Sequence, residues 1–570
     1  MADSDSSQGE SQYEDAYPDS KQIKIMKSNE NHCVHEKSLN HDLLSISPHL
    51  PWRYDEWLPA NWSEALPHPF KGYPGIKYDT TFYDAVHYFQ LFVPNSLFDQ
   101  FVMATNQFVS QLLEQQNGNG EIIKQLKQLW VPTTMIEMKK FIGLLLLMGI
   151  IEKPNVFHYW SLDPLYETPL FQSIMTKKRF ILLLRCLRFN DDQHRNDKDE
   201  ILCDRLCNIR PLLDYFNQKF RYVYDAEQDI ALHTLTIKVK RKHICEETAS
   251  HETLVNIKLH YLRESKSGYM FQFQVCNDDS KTCTRKVFSI PTETEKWNFK
   301  EKLALSLLKP FLDQGYNVYM DQHFTSIPLF DYLYRRKTNA CGIILPQNLP
   351  PTIENLLNQS QEEMIAYRSG PLLCLKWRKE EPLCILSSLH SDLTTQQVNH
   401  QDQPKKSNDM PNHDLNKKKI TALLRYDQNM DNASKQDLSM KLQHVSGKAV
   451  KLGKKLGIQL LQVCMRNAFI IFQNDRSYLG KSFLQFQHDV ITDLLFCEEK
   501  MEMEKKEATI RLTGRHFIQH LKPSKFACRV CCRKGTLKYV YTICSICPND
   551  IGLCLDPCFR LFHTILRYWE

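Results

Sequence analysis

At 570 residues, 42% hydrophobic and 24% charged, the chain is too long for one core and has an ordinary soluble composition, so about two to four domains are expected. A net charge of +6 and a pI near 8.4 permit nucleic-acid contact without requiring it. Residues 1–19 are acidic and polar, which disfavours a secretory leader. The longest uncharged apolar run, 141–151, is too short to cross a bilayer, so a soluble intracellular chain with no membrane partner is expected.

Residues 1–70 hold few apolar side chains and no helical or strand period, and they end in the Pro- and Trp-rich stretch 51–69. They read as a disordered acidic tail. From about Thr80 the pattern turns helical, with Phe82, Ala85, Val86, Phe89, Leu97, Phe101 and Val102 at three-four spacing. Thr133 reads as the N-cap of a strong helix carrying Glu137 and the apolar run 141–148, and Pro154 closes that region. Helices are also expected over 177–189 and 209–220. Residues 230–239, 253–261 and 269–275 alternate as strands, and 300–312 reads as a helix laid against them. An apolar aromatic run at 316–320, after Gly315, predicts a buried strand that delivers Asp321 to its end. A carboxylate there is costly unless something pairs with it. Thr325 or Ser326 then caps a helix with Pro328 in its first turn. The polar stretch 387–419 reads as a disordered insert.

Of the 19 Cys, twelve are scattered before residue 500 and seven fall between Cys528 and Cys558. In a reducing compartment the first group reads as buried thiols and the second as a metal site. Cys528 and Cys531, Cys544 and Cys547, Cys554 and Cys558, then His563, suit two tetrahedral structural zinc sites with soft ligands. The eighth ligand is either Cys532 or His516. Too few other apolar residues surround these thiols for the segment to fold alone, and metal binding supplies the missing stability. Between Arg511 and Arg567 stand ten Lys or Arg against Asp550 and Asp556. Arg529, Arg533, Lys534 and Lys538 in that excess suit a phosphate backbone. Lys238, Lys240, Arg241 and Lys242, with Lys448, Lys451, Lys454 and Lys455, are further candidate DNA contacts; the alternative for any charge run is a solvated face.

Several motifs stand in one order: Glu137-Met-Lys-Lys-Phe-Ile-Gly-Leu-Leu-Leu-Leu-Met-Gly-Ile, Lys153-Pro154 with Tyr159-Trp160-Ser161, residues 175–180, Leu187-Arg-Phe-Asn-Asp, Lys258-Leu-His-Tyr-Leu to Ser267-Gly268-Tyr269, and the stretch around Asp321. Together, in register from about Phe70 to the C terminus, they resemble piggyBac transposases and the genes derived from them. The resemblance implies a mixed α/β fold: an RNase H-like (DDE transposase-type) core interrupted by an insertion, a flanking helical domain built from two chain segments, and a C-terminal Cys-rich zinc module. On that plan 71–228 is the first part of a helical DNA-binding and dimerisation domain. The core's first part is 229–348, the insertion with its disordered loop 349–420, and the core's last part 421–437. Residues 438–510 complete the helical domain, and 511–570 form the zinc module, with its ligands paired as a cross-brace.

The family binds two divalent metals about 4 Å apart through three Asp, the arrangement that in-line displacement at phosphate needs. Carried over residue by residue, the second Asp matches Asp321, with Phe324-Thr325-Ser326 intact behind it. Aligned through Tyr224 and Gln228, the first becomes His233; the third becomes Ser434, with Asp431 and Asn432 where the family has paired glycines. Asp437 shares a helical face with Ser434. Asp229 points to the same side as His233 but lies roughly 13 Å along the strand. Histidine is a poor Mg²⁺ ligand and serine is uncharged, so loss of cleavage and strand transfer is expected, with Zn²⁺ as structural cofactor and Mg²⁺ absent. The expected protein is nuclear, binds double-stranded DNA or chromatin, forms a homodimer and has no small-molecule substrate. Two alternatives stand: an active nuclease using Asp321 and Asp437, and a scaffold whose zinc module binds protein.

Overall fold

The computed structural model describes residues 57–60, 67–80, 83–114, 126–190, 209–242, 252–277, 297–359, 364–377, 383–390, 395–397, 418–435, 452–476, 480–521, 523–533, 536, 538–547, 550–566 and 568. In chain order its strands are β1 (Leu58–Pro59), β2 (Gly75–Ile76), β3 (Tyr224–Asp225), β4 (Asp229–Lys242), β5 (Glu252–Glu264), β6 (Met270–Asn277), β7 (Asn317–Met320), β8 (Asn339–Ile343), β9 (Met364–Ser369), β10 (Leu372–Trp377) and β11 (Leu383–Ser387). β12 (Thr395–Gln397) pairs with β13 (Lys418–Ile420), and four short strands lie in the C-terminal module.

The alternation read from the sequence becomes an antiparallel ladder, β4 to β5 to β6, running from Ile230↔Glu264 to Lys242↔Glu252 in its first pair. β7 then joins β4 in parallel and β8 joins β7 in parallel. Three antiparallel strands followed by two parallel ones give the RNase H-like order. Residues 349–390, expected as part of an insertion, continue this same sheet: β11, β10 and β9 add antiparallel strands beyond β8, and β1 closes the edge of a 9-stranded sheet. Residues 398–417, within the stretch expected as a disordered insert, lie outside the described residues.

Ala231, Tyr319 and Cys341 on the central strands pack with Leu373, Leu375 and Ile385 under Ala422, Leu423 and Tyr426 of the helix Thr421–Lys435. The helix Phe299–Leu308, opened by an Asn298–Glu301 capping box, covers β5 and β6. Helices from before and after the core pack into one body. Gly143 of Met135–Leu147 lies so close to Phe483–Leu495 that a Cβ would stand 2.8 Å from Leu495. Tyr88 meets Phe472 edge-on at 5.5 Å. The helix Leu452–Asp475 is long and apolar enough to cross a bilayer, yet 78% of its apolar window is buried inside the fold.

Two features tie one edge of the sheet to the helices. Asn217, on the helix Arg210–Val223, receives the Phe273 amide at 2.8 Å and donates to the Phe273 carbonyl at 3.0 Å. Asn467, on Leu452–Asp475, does the same for Met270, at 3.0 and 2.9 Å. Each carboxamide completes an outward-facing peptide of edge strand β6 as a neighbouring strand would.

Two expectations need correction, and one choice left open is decided. Residues 57–60 and 67–70, assigned above to a disordered tail, are packed: Trp57 is 5% exposed, β1 pairs with β9, and His68 is hydrogen-bonded to Asn339 and Tyr334. Backbone pairing and one buried indole hold this strap, and neither registers in average composition. It runs over Gly315, whose φ of +77° and position 2.0 Å (at the Cβ a larger residue would carry) from the Pro69 carbonyl require glycine. The N-cap of Met135–Leu147 is Thr134, which accepts the Glu137 amide; the Thr133 hydroxyl instead donates to the Glu137 carboxylate at 2.7 Å. Of the two candidate caps after Asp321, Ser326 does the capping and Pro328 sits in the first turn of Ile327–Arg335.

Candidate active site and metal centres

β4 and β7 are last paired at Leu232↔Met320, so the next residues of these parallel neighbours are His233 and Asp321. Adjacent strands lie about 4.8 Å apart. The alignment and the sheet register therefore bring the same two positions side by side. Half-buried Asp321 is used locally: its Oδ1 accepts the His323 amide at 2.8 Å, and its carbonyl accepts the Thr325 hydroxyl at 2.9 Å, turning the chain into the capped helix. Burial raises its pKa, against the His323 hydrogen bond and the charges of His323 and Lys300.

His233 stacks on Tyr261 with ring centroids 5.5 Å apart. Its Nε2 is buried and has no hydrogen-bond partner among the described residues. Burial first, and the buried Arg263 guanidinium second, push its pKa down to about 3, so the ring is neutral at physiological pH. Asp229 is no substitute, since it is paired opposite Asn317 at the start of β4 and its Oδ1 accepts from the Asn317 side-chain Nδ2 at 2.8 Å. Ser434 lies on the helix Thr421–Lys435, against β4, β7 and β8. Asp437 lies outside the described residues, as do Lys448, Lys451 and Lys534. Among the described residues, three or more metal-ligating side chains converge only in the C-terminal module.

In that module, strand Ile518–His520 pairs with Thr542–Cys544, putting Ile518 opposite Cys544. His516 is thereby carried to the second Cys pair. Two groups result: Cys528, Cys531, Cys554 and Cys558; and His516, Cys544, Cys547 and His563, with the ligand atoms of each within 4.8 Å of one another. The first and third Cys pairs thus share one cluster and the second pair joins two histidines, an interleaved arrangement. Cys532 is exposed and belongs to neither.

The donor sets fit tetrahedral zinc. Zn–S bonds of about 2.3 Å imply S···S edges of about 3.8 Å, and Cys531 lies 3.6 Å from Cys554 and 3.5 Å from Cys558. His516 Nδ1 stands 3.4 Å from Cys544, and His563 Nε2 stands 3.4 Å from Cys547. The other nitrogen of each ring faces a carbonyl, Thr513 at 3.1 Å for His516 and Phe559 at 2.8 Å for His563. A carbonyl only accepts, so those nitrogens carry the protons and the cluster-facing ones have free lone pairs. Burial first, and the neighbouring cysteines of each cluster second, hold Cys531 at about 11 and Cys547 at about 12, as thiols; a cation converts such a group to thiolates.

Several basic residues have structural employment. Arg511, counted above in the basic excess, is 3% exposed at the end of the helix Cys497–Leu512. Its guanidinium donates to the carbonyls of Phe562 and Ile565, each at 2.7 Å, and Leu566, and lies 4.8 Å from the Tyr568 ring centre. Lys454 donates to the carbonyls of Leu184, at 3.0 Å, and Arg185, closing the helix Lys177–Cys186. Arg529, Arg533 and Lys538 are exposed beside the clusters. Lys238, Lys240, Arg241 and Lys242 lie along the far half of β4.

Residues 84–469 match the family model described as Transposase IS4, and residues 511–564 match that of the DDE_Tnp_1-like zinc finger. Human PiggyBac transposable element-derived protein 5 is 23% identical over 266 residues, 46% of this chain and 47% of that protein, so the match spans about half the relative's length. The cryo-EM structure of a piggyBac transposase synaptic complex with hairpin DNA superposes with a TM-score of 0.57 at 16% identity, over 85% of this chain and 100% of that one; at that identity the likeness is one of fold. With most of its length accounted for by a transposase domain and its C terminus by the matching zinc finger, the chain belongs to the piggyBac transposase family.

Proposed function

We propose that this chain is a transposase-derived protein of the nucleus that binds double-stranded DNA or chromatin and no longer cuts or joins it. The observation that carries the reading is His233. A half-buried, neutral imidazole takes the strand position beside Asp321, where paired divalent cations require a second anionic oxygen. Mg²⁺ has no place in this reading. Zn²⁺ is held by Cys528, Cys531, Cys554 and Cys558 and by His516, Cys544, Cys547 and His563, fixing the module that presents Arg529, Arg533, Lys534 and Lys538 to DNA. The four basic residues of β4 extend the contact, and the homodimer and two-part helical domain expected above belong to the same proposal. Lys405 and Lys406, with Lys417, Lys418 and Lys419, suit nuclear import.

A plasmid excision assay with purified protein and Mn²⁺ tests it. No excision is expected; reproducible excision abolished by Asp321→Ala overturns the reading in favour of an active nuclease. Exposed Phe517, Tyr539 and Leu555, at 59%, 60% and 61%, favour a second reading, a zinc module that binds protein. Zinc-loaded protein with no salt-dependent affinity for duplex DNA selects that one.

A further inference from the structure

The two Cys/His clusters are built differently. Cys528, Cys531, Cys554 and Cys558 offer only sulfur, and all but Cys531 are buried among Val530, Leu553 and Phe562. Main-chain bonds tie their two segments together: the Arg529 amide donates to the Gly552 carbonyl at 2.8 Å, and the Cys554 amide donates to Cys528 Sγ at 3.3 Å. That site closes on itself within the module. The other cluster reaches outside it, because His516 stands just past the helix Cys497–Leu512 on an arm, residues 513–521. The arm's strand, Ile518–His520, is exposed along its whole length. It meets the module through the short pairing with Thr542–Cys544, flanked by the Leu521 amide on the Tyr541 carbonyl at 2.9 Å and the Ser545 amide on the Phe517 carbonyl at 3.0 Å.

A two-stranded ribbon of this size is marginal in water unless something else holds it. His516 is placed to do so: its Nδ1 stands 3.4 Å from Cys544 Sγ and 3.6 Å from Cys547 Sγ, and its ring stacks on His563 with centroids 4.2 Å apart. Both rings are partly exposed, so water and small chelators reach this cluster more readily than the other. The donors differ too. Four anionic sulfurs face a dication at the first site and two at the second, where neutral imidazoles complete the set. We propose that His516, Cys544, Cys547 and His563 form an exchangeable zinc site that fastens the arm, so that zinc supply sets whether residues 513–521 are held to the module, while the four-cysteine site keeps the module folded. The inference rests on the two-zinc reading above. Arg511, bonded to the Phe562 and Ile565 carbonyls, still joins helix to module when the arm is loose.

The test uses the full-length, zinc-loaded chain and a graded series of EDTA concentrations. Zinc retained after desalting is counted by mass spectrometry, and main-chain hydrogen exchange is followed at each step. Wild type is expected to give up one equivalent first, with loss of protection at the Leu521 and Ser545 amides. The Cys532 and Phe559 amides, bonded to the Cys528 and Cys554 carbonyls, should keep theirs until the second equivalent leaves. His516→Ala should purify without the early equivalent and release the late one as wild type does. His516→Cys adds a third thiolate to the arm's site and should retain the early equivalent at EDTA concentrations that strip it from wild type. The proposal is overturned if both equivalents leave together, if the first departure exposes Cys532 and Phe559, or if His516→Cys releases its zinc no later than wild type. Wild-type protein that purifies with fewer than two zinc equivalents sinks the two-zinc reading itself, so the two failures are distinguishable.

Discussion

Replacing Arg511 by Ala removes the clamp between the zinc module and the preceding helix. The guanidinium reaches three carbonyls, but those of Ile565 and Leu566 belong to residues 44% and 56% exposed, and water replaces much of what they lose. The Phe562 carbonyl is different, because Phe562 is fully buried. One charge-assisted bond to a buried acceptor contributes about 2 kcal/mol. The cation–π contacts with Phe562 and Tyr568, centred 5.4 and 4.8 Å away, add about 1 kcal/mol. A loss of about 3 kcal/mol corresponds to a change of roughly 150-fold in an opening equilibrium. Native-state hydrogen exchange of the Leu561 and Ile565 amides, in and just after the helix Cys558–Thr564, reads that opening directly. Arg511→Lys retains charge without the planar fork and is expected to lie between Ala and wild type. If Arg511→Ala exchanged within about threefold of wild type, the clamp would contribute less than about 0.7 kcal/mol and the argument would fail.

His516→Ala is expected to remove one zinc equivalent and Cys532→Ala none, by metal analysis of purified protein; equal losses would place the eighth ligand elsewhere. His233 and His260, held by burial at about 3 and about 4, have folded pKa values below the unfolded 6.5, so the unfolded chain binds more protons between them. Stability is therefore present above about pH 6.5 and lost as pH falls toward 4, by up to about 1.4 kcal/mol per pH unit for each ring. The denaturation midpoint of His233→Asn should depend less on pH over that range, and an unchanged dependence contradicts the burial argument. Gly315→Ala forces a side chain into the strap at φ +77° and should cost about 2 kcal/mol or more, seen as faster proteolysis before residue 70; wild-type resistance would mean the strap does not need that contact.

Secondary structure was legible where side-chain alternation and backbone pairing agree. Strand 230–239 could be read from its period, and it runs on to Lys242 because its ladder with β5 continues through the basic residues whatever their side chains are. Asp321 could be placed because Gly315 and Pro328 bracket its strand and helix. Seven of the eight side chains in the two Cys/His clusters could be picked out by spacing. The eighth could not, because His516 reaches Cys544 only when strand Ile518–His520 folds onto Thr542–Cys544. Charge counts misled most: Arg511 and Lys454 look like DNA contacts in a tally of sign, while each is spent on main-chain carbonyls. Trp57 shows the same limit for composition, since one indole and a two-residue strand leave little trace in an average over seventy positions.

The asparagine pair on β6 has a consequence for synthesis. Asn217 is made before the strand it completes, and Asn467 almost two hundred residues after Met270, a separation of 197. A nascent chain that has finished β6 can satisfy Phe273 at once but leaves the Met270 peptide bare until the helix Leu452–Asp475 leaves the ribosome. Until then the half-made protein offers an adhesive border to any passing polypeptide.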